Sequence, residues 1–418
     1  MTATLESKVI ETLFNVQGYS LVDIRTCINV NELCEEIEIE LEQNEESTCP
    51  RCGLRGNRYR HDSNTQRIYL GSMLCKAVYG VLKVFRVKCP TCGVLTDRQT
   101  ISNGKARYSK AVPMMLLRYT QAMDNTAVSS LLGLSKSTVF RMDKDELTKL
   151  AEDYDSKIPP LEQIGIDEIA HRSGHNYATV ITNQSDGKVV WIEPDRTTGS
   201  LMSAYERYPK RFQGIKVATM DFWRPFESAT KSYHPDCKIV YDRFHLSRLV
   251  NRVIEEERRD YQNGLEKEER KFIKKHTRWV MLRRLPNCTD KQKDRLDELR
   301  EANEWLYNLY LLKEDFLSVF DEPGMDKGLA REHILNWIQR VNTTAYEKLK
   351  RFAKNLLERL EKILDWFDHR ISNAKAEGIN NVIKTILKRG YGYSDFFYFR
   401  LKILQRCGYL MEHSTHTF

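Results

Sequence analysis

The sequence predicts a multidomain α+β protein. An N-terminal zinc ribbon and a helix-turn-helix come first, then a ribonuclease-H-like α/β domain interrupted by an all-α insertion. Three observations predict it. Two CPxCG knuckles, Cys49-Pro-Arg-Cys52-Gly and Cys89-Pro-Thr-Cys92-Gly, stand in a strand-rich stretch. A short helix, a glycine turn and a second polar helix follow between Asp124 and Leu147. From Leu161 onward, three strand-like runs give way to alternating helices and strands, two of which end in an aspartate.

At 418 residues, 41% of them hydrophobic, the chain exceeds what one compact core accommodates. The pattern divides it into an N-terminal region with the ribbon (1–100), the helix-turn-helix (101–155), a first part of the α/β core (156–260), the helical insertion (261–355) and a second part of the core (356–418). No run of eighteen apolar residues occurs, and MTATLESKVIETLF lacks a basic-then-apolar leader pattern. A cytoplasmic protein without a membrane partner is therefore expected. The formal charge of +8 is modest but uneven. Residues 31–48 are rich in glutamate, from Glu32 to Glu46, with no Lys or Arg, whereas 51–118 carry fourteen Lys or Arg against Asp62 and Asp97. So basic a stretch predicts a polyanion as partner. Ten cysteines without an export signal argue against a disulfide framework. The six outside the knuckles (Cys27, Cys34, Cys75, Cys237, Cys288, Cys407) read as buried thiols.

Residues 5–16 have the spacing of a short amphipathic helix. Glu36–Glu42, EIEIELE, alternates strictly and predicts a strand with Ile37, Ile39 and Leu41 on one face. In each knuckle a tight turn aims backbone N–H groups at sulfur, and the glycine lets the chain turn back. Together Cys49, Cys52, Cys89 and Cys92 supply the four thiolates of a structural Zn²⁺ site. A hairpin pairing Thr65–Leu70 with Ala77–Val87 is expected to fill the long span between them; His61 within it is either a ligand or a solvated loop residue. Ala111–Met123 predicts a helix. Asp124 or Asn125 then caps a short helix through Leu131, Gly133 makes the turn, and Ser135 caps Lys136–Leu147. In this layout Ser135, Lys136, Ser137, Thr138 and Arg141 face a DNA major groove.

The α/β core opens with LEQIGIDEIA, an apolar run that leaves a Pro-Pro break and carries Asp167 and Glu168. Strands are expected at Ile164–Ile169, Tyr177–Thr182, Val189–Glu193, Gly214–Met220 and Lys238–Tyr241. Helices are expected at Ser200–Tyr208, Phe226–Ser232 and Phe244–Asp260. Three antiparallel strands followed by alternating helices and strands is a ribonuclease-H-like order, in which the first and fourth strands are neighbours. Asp167 and Asp221 would then meet at one sheet edge, and Asp242 ends the fifth strand. Asp242 and His245 form a DxxH pair that either contacts phosphate or the metal site, or is a helix cap with a histidine packed beneath it. Glu168 reads as a supporting or strand-edge residue. Long charged helices with Trp279, Trp305 and Trp337 follow, broken only near Asp321–Gly324, and their charge runs read as solvated faces or, for some Lys and Arg, as contacts to phosphates. A helix at Leu356–Arg370 precedes one opened by Ser372 or Asn373, with Glu377 on its first turns and Asn380, Asn381 and Lys384 at helical spacing. The aromatic tail RGYGYSDFFYFRLKIL is expected to close this domain by packing.

With its CPxCG pairs, helix-turn-helix, GIDE at Asp167, MDFWRPF at Asp221, YDRFHLSRLV around Asp242 and SNAKAEGINNVIK around Glu377, the chain resembles the DDE transposases of bacterial insertion sequences. Within them it is similar to the ISL-three family, over nearly its whole length. The resemblance implies a catalytic triad of Asp167, Asp221 and Glu377 holding two Mg²⁺ (or Mn²⁺) ions roughly 3.5–4 Å apart, with Asp167 bridging both. Hard ions of this kind take carboxylate and phosphate oxygens. It also implies double-stranded DNA as partner, both the element's terminal inverted repeats and target DNA. A homodimer or larger assembly on DNA and a bacterial cytoplasmic, nucleoid-associated location follow from it as well. Two other readings are compatible with the residues: a non-catalytic DNA-binding regulator derived from a transposase, and a nuclease of the same fold.

Overall fold

The computed structural model describes residues 5–29, 34–44, 48–54, 57–97, 99–103, 106–174, 176–370 and 374–411. Ser372 and Asn373, expected as helix caps, lie outside them, and so does the side chain of His61. The chain forms two compact units: Met1–Tyr154 with Ile386–Arg406 and Leu410–Phe418, and Asp155–Thr385 with Cys407–Tyr409.

The first unit begins with α1 (Leu5–Phe14), β1 (Tyr19–Asn29), β2 (Cys34–Gln43), β3 (Asn57–Met73), β4 (Lys76–Cys89) and β5 (Gly93–Thr96). The sheet order is β1-β2-β4-β3, with β5 paired to β4. The alternation in β2 works as expected. Ile39 and Leu41 are buried, with Ile37 beside them, against Phe14, Val16, Leu70, Val78 and Val84. The intervening glutamates meet cations: Glu38 binds Arg25 of β1 at 2.8 Å and Arg67 of β3 at 2.9 Å, and Arg67 also binds Glu36. Arg67 reaches them across β4, its guanidinium 3.6 Å from the Tyr79 ring centroid. Part of the basic charge of this region is thus neutralised inside the sheet. The hairpin between the knuckles is longer than expected and turns through Leu74 and Cys75, both at positive φ (52° and 62°). This is the two-residue turn whose twist matches the strands. Cys75 is therefore exposed and Cys27 half-buried, a correction to their expected burial; Cys237, Cys288 and Cys407 are buried.

Three helices follow, α2 (Val112–Ala122), α3 (Asn125–Leu132) and α4 (Lys136–Glu152). Asp124 is the cap of α3, accepting from the N–H groups of Thr126 and Ala127. Gly133 ends that helix at φ 63°, and Ser135 caps α4 by accepting from Thr138 N–H. Val112, Leu116, Val128, Leu132, Val139 and Met142 close one core with Tyr69 and Ala77 of the sheet. The Tyr69 hydroxyl donates to Leu132 O at 2.7 Å.

The second unit starts with β6 (Gln163–Arg172), β7 (Asn176–Asn183), β8 (Val189–Pro194), α5 (Thr198–Arg207), β9 (Val217–Met220), α6 (Arg224–Tyr233), β10 (Lys238–Tyr241) and α7 (Arg243–Asn263). Its sheet order is β10-β9-β6-β7-β8. β6, β7 and β8 are antiparallel neighbours, whereas β9 runs parallel to β6 and β10 parallel to β9. The expected adjacency of the first and fourth strands is present. Next come α8 (Lys267–Met281), α9 (Asp290–Ala302), α10 (Glu304–Ser318), α11 (Lys327–Asn342), α12 (Glu347–Leu357), α13 (Leu360–His369) and α14 (Ala374–Arg389). This region breaks more often than at Asp321–Gly324 alone. Asn303 caps α10 by accepting from Leu306 N–H, and buried Lys313 donates to Met281 O and Arg283 O just beyond α8. That lysine satisfies carbonyls which the helix end leaves without partners. The expected helix at Leu356–Arg370 is likewise divided, between Leu357 and Leu360.

The last helix, α15 (Phe396–Cys407), belongs almost wholly to the first unit. The tail expected to close the α/β core instead holds the helix-turn-helix. Asp143 of α4 is fully buried and accepts from Tyr398 Oη at 2.6 Å, Lys402 Nζ at 3.1 Å and Thr120 Oγ1. Lys402 Nζ also donates to Thr120 O at 2.7 Å, and Gln405 Nε2 to Leu117 O at 2.8 Å. Burial pulls the Lys402 pKa down while Asp143 pushes it up, with burial prevailing. Removing one member of a buried pair leaves the other charge uncompensated. Lys402→Met should therefore loosen this unit by about 3 kcal/mol. In the full chain, amide exchange across 112–152 should quicken about 100-fold, with 163–194 unaffected; equal exchange in both proteins would refute this role for α15.

Candidate active site at the sheet edge

Strand register places the acids. β6 is buried continuously from Ile164 to Asp167, the mark of a strand covered on both faces. Ile166 pairs with Met220, and Met220 with Tyr241. One residue further along each chain stand Asp167, Asp221 and Asp242, a row at the carboxyl end of three mutually parallel strands. That end of an open α/β sheet is where ligands bind. Gly165 is required two residues earlier. A Cβ there would lie 2.2 Å from Gln184 Nε2, which donates to Thr219 Oγ1 of β9 and ties the strands together.

The polar atoms converge closely. His245, in the first turn of α7, sets Nε2 2.7 Å from Asp221 Oδ1 and 3.6 Å from Asp242 Oδ2. Asp242 also accepts from Phe244 N–H as the cap of α7, the helix-cap reading of the DxxH pair. Asp167 accepts from Glu168 N–H at 2.7 Å and from Asn380 Nδ2 at 2.6 Å. Asn380 arrives on α14, whose first turn is anchored where Lys375 Nζ donates to Ser185 O at 2.8 Å. One ligand atom each of Asp167, Asp221 and His245 lie within 4.8 Å of one another. Glu377, one turn before Asn380 on α14, is exposed and lines the same cavity of about 700 Å³, outside that close group. Arg248, Asn381 and Lys384 line it too.

Burial raises the Asp221 pKa, and the charges of Asp167 and Asp242 push the same way against His245. Burial pulls the His245 imidazole down, but Asp221 and Asp242 outweigh it, so the net direction is up. Carboxylates gathered at a half-buried edge favour a cation, and the donor set fits a divalent metal ion. Glu168 points away from this role: its two oxygens accept from Arg196 Nη1 at 3.0 Å each. Arg196 in turn lies over the rings of Tyr177 and Trp223, at 4.1 and 4.8 Å. No sequence pattern announced Arg196, whereas the amide-rich spacing of α14 did point to Asn380.

The other predicted residues lie in the first unit. The sulfurs of Cys49, Cys52, Cys89 and Cys92 lie within 4.8 Å of one another, with Cys52 and Cys89 3.5 Å apart. A Zn–S bond of about 2.3 Å requires tetrahedral S···S distances of about 3.8 Å, so the cluster suits zinc. Gly53 and Gly93 take φ 73° and 79°, as the knuckle turns require. A hydrogen bond from the Cys52 backbone brings the Cys49 thiol down to about 7, easing thiolate formation. On α4, Lys136, Ser137 and Arg141 are exposed and Thr138 half-buried, while Ser135 is engaged as the cap.

Residues 164–403 match a family model described as Transposase, that of the ISL-three group of DDE transposases. A transposase for insertion sequence element IS1001 from Bordetella parapertussis is 30% identical over 410 residues, covering 96% of this chain and 98% of that protein. Transposases for insertion sequence element IS1557 from two strains of Mycobacterium tuberculosis are 22% identical over 377 residues, 82% of either chain. A solved Drosophila P element transposase strand transfer complex overlaps more loosely, with a TM-score of 0.38 and 11% identity over 74% of this chain and 94% of that one. Among the described residues no helix is long and apolar enough to cross a membrane.

Proposed function

The chain belongs to the ISL-three family of transposases, and on that premise we propose that it binds the terminal inverted repeats of an insertion sequence and cuts and joins DNA there by metal-dependent phosphodiester chemistry. The observation that carries this reading is the strand register that sets Asp167 beside Asp221, with Asn380 of the Glu377-bearing helix bonded to Asp167. Asp167, Asp221 and Glu377 would hold two Mg²⁺ or Mn²⁺ ions, which when bound activate the attacking water or 3′-OH and stabilise the leaving oxygen. Asn380 fixes the orientation of the Asp167 carboxylate, and His245 does the same for Asp221. Asp242 holds the start of α7, and with it His245, against the strand ends. Arg248 and Lys384 present positive charge to the phosphate entering the cavity.

In this reading the first unit supplies end recognition. Lys136, Ser137, Thr138 and Arg141 meet the major groove, Ser135 orients the helix that carries them, and the cysteine cluster holds Zn²⁺ to brace the ribbon. Joining two ends requires a dimer or larger assembly on DNA, and the nucleoid of the bacterial cytoplasm is where such a protein acts.

Incubated with DNA bearing the element's end, the full chain should cleave in Mg²⁺ or Mn²⁺. Asp167→Asn, Asp221→Asn and Glu377→Gln should each slow cleavage about 1000-fold or more, as expected when several kcal/mol of metal-borne charge stabilisation is lost. Footprints on the end should be retained. Cleavage that survives Asp167→Asn would sink the triad, and a wild-type footprint without cleavage would favour a regulator. Metal analysis of the purified protein should give one zinc per chain, lost together with end binding in Cys52→Ser/Cys92→Ser. A zinc-free chain that still footprints the end would contradict the structural role of the cluster.

A further inference from the structure

α7 leads out of the acid-lined cavity into a second, basic one. His245 lies in its first turn, Arg248 lines the acid cavity, and Arg252 follows one turn later, about 6 Å further along the axis. There a groove of about 410 Å³ opens between α7 and α12. Arg252 and Glu256 line it from α7, Lys348 and Arg351 from α12, Arg359 from just beyond α12, and Phe222, next to Asp221, closes it toward the acids. Four cations thus face one anion over an apolar floor that includes Leu246 and Phe352.

Pairing separates the arginines among these cations from their neighbours. Arg258 and Arg259 on the same helix bind Glu255 and Arg243 binds Asp321, while within the groove Lys348 binds Asp260. Arg252 and Arg351 are exposed, and among the described residues neither side chain has a hydrogen bond or ion pair. The Arg248 guanidinium lies 6.0 Å from the Phe244 ring centroid and that of Arg359 6.0 Å from the Phe222 centroid, with Arg359 also acting on the Glu227 carboxylate. Guanidinium groups that outnumber the carboxylates around a low-dielectric floor repel one another unless an anion lies between them. They step away from the carboxylates turn by turn, so a repeating anion fits them better than a single small one.

We propose that this groove carries the phosphodiester backbone of the DNA strand that passes the carboxylate edge, with Arg252 and Arg351 each neutralising a phosphate. The proposal rests on the reading of the unit as a DNA-cutting domain. It adds a substrate track that includes neither the acids nor the helix-turn-helix.

The test uses the full chain and a fluorescein-labelled random-sequence 40-base-pair duplex, with binding followed by anisotropy from about 50 to 300 mM KCl. Each phosphate contact on a duplex contributes about 0.9 to the slope of log K against log salt. Arg252→Gln/Arg351→Gln should therefore flatten the slope by about 2, and Glu256→Lys should steepen it by about 1. All three positions are exposed, so the melting temperatures should match wild type. A double variant that melts normally and keeps the wild-type slope would overturn the track. A flattened slope in the double variant, with a wild-type chain that never cuts end-bearing DNA, would overturn the functional reading and leave the track standing.

Discussion

Everything in the second unit depends on the parallel register of β6, β9 and β10. Because Ile166, Met220 and Tyr241 lie side by side, the next residue of each strand delivers an aspartate to the same edge. Like charges this close are unfavourable without a counter-charge. His245, raised in pKa by the carboxylates it faces, lies against Asp221, and Asn380 donates to Asp167 from the other side. The edge is therefore an arrangement that a divalent cation would relieve. Gly165 shows how tightly the strands are set, since the buried Gln184 side chain occupies the space a Cβ would need.

The first unit solves a different charge problem. Its sheet is basic, and Glu38 of β2 is held from both sides by Arg25 of β1 and Arg67 of β3. The helix-turn-helix is not finished by its own three helices. Asp143, buried at the centre of α4, requires donors, and they come from Tyr398 and Lys402 on a helix more than 250 residues later in the chain. Both chain ends thus build the same unit, and the segment that carries the acids and the helical insertion lies between them in sequence.

What could be read from the sequence was what is encoded locally. Asp124, Gly133 and Ser135 mark the helix-turn-helix because capping and a left-handed glycine act within a few residues. The cysteine knuckles and the alternation in β2 are legible for the same reason. The neighbourhood of Asp167 and Asp221 followed from element order alone, since three antiparallel strands leave the fourth a place beside the first. What could not be read depends on partners distant in sequence. β1 escaped because YSLVDIRTCIN is largely exposed and bulged between Leu21 and Asp23, so its alternation is broken. The helix break after Met281, where Lys313 takes up the carbonyls, depends on tertiary hydrogen bonds, as does the placing of α15. Arg196 looks like any surface arginine until Glu168, Tyr177 and Trp223 surround it. Arg252 and Arg351 stand out only because, among the described residues, no ion pair of the kind that holds their neighbours holds either side chain.

The most direct test of the sheet edge as a metal site is anomalous diffraction at the manganese edge, on crystals of the full chain grown with MnCl₂. A peak should lie about 2.1 Å from carboxylate oxygens of both Asp167 and Asp221, the distance expected for a hard divalent ion. Glu377 should then turn toward it from α14. An edge without manganese, with His245 still bonded to Asp221 at saturating metal, would contradict a divalent-metal site there.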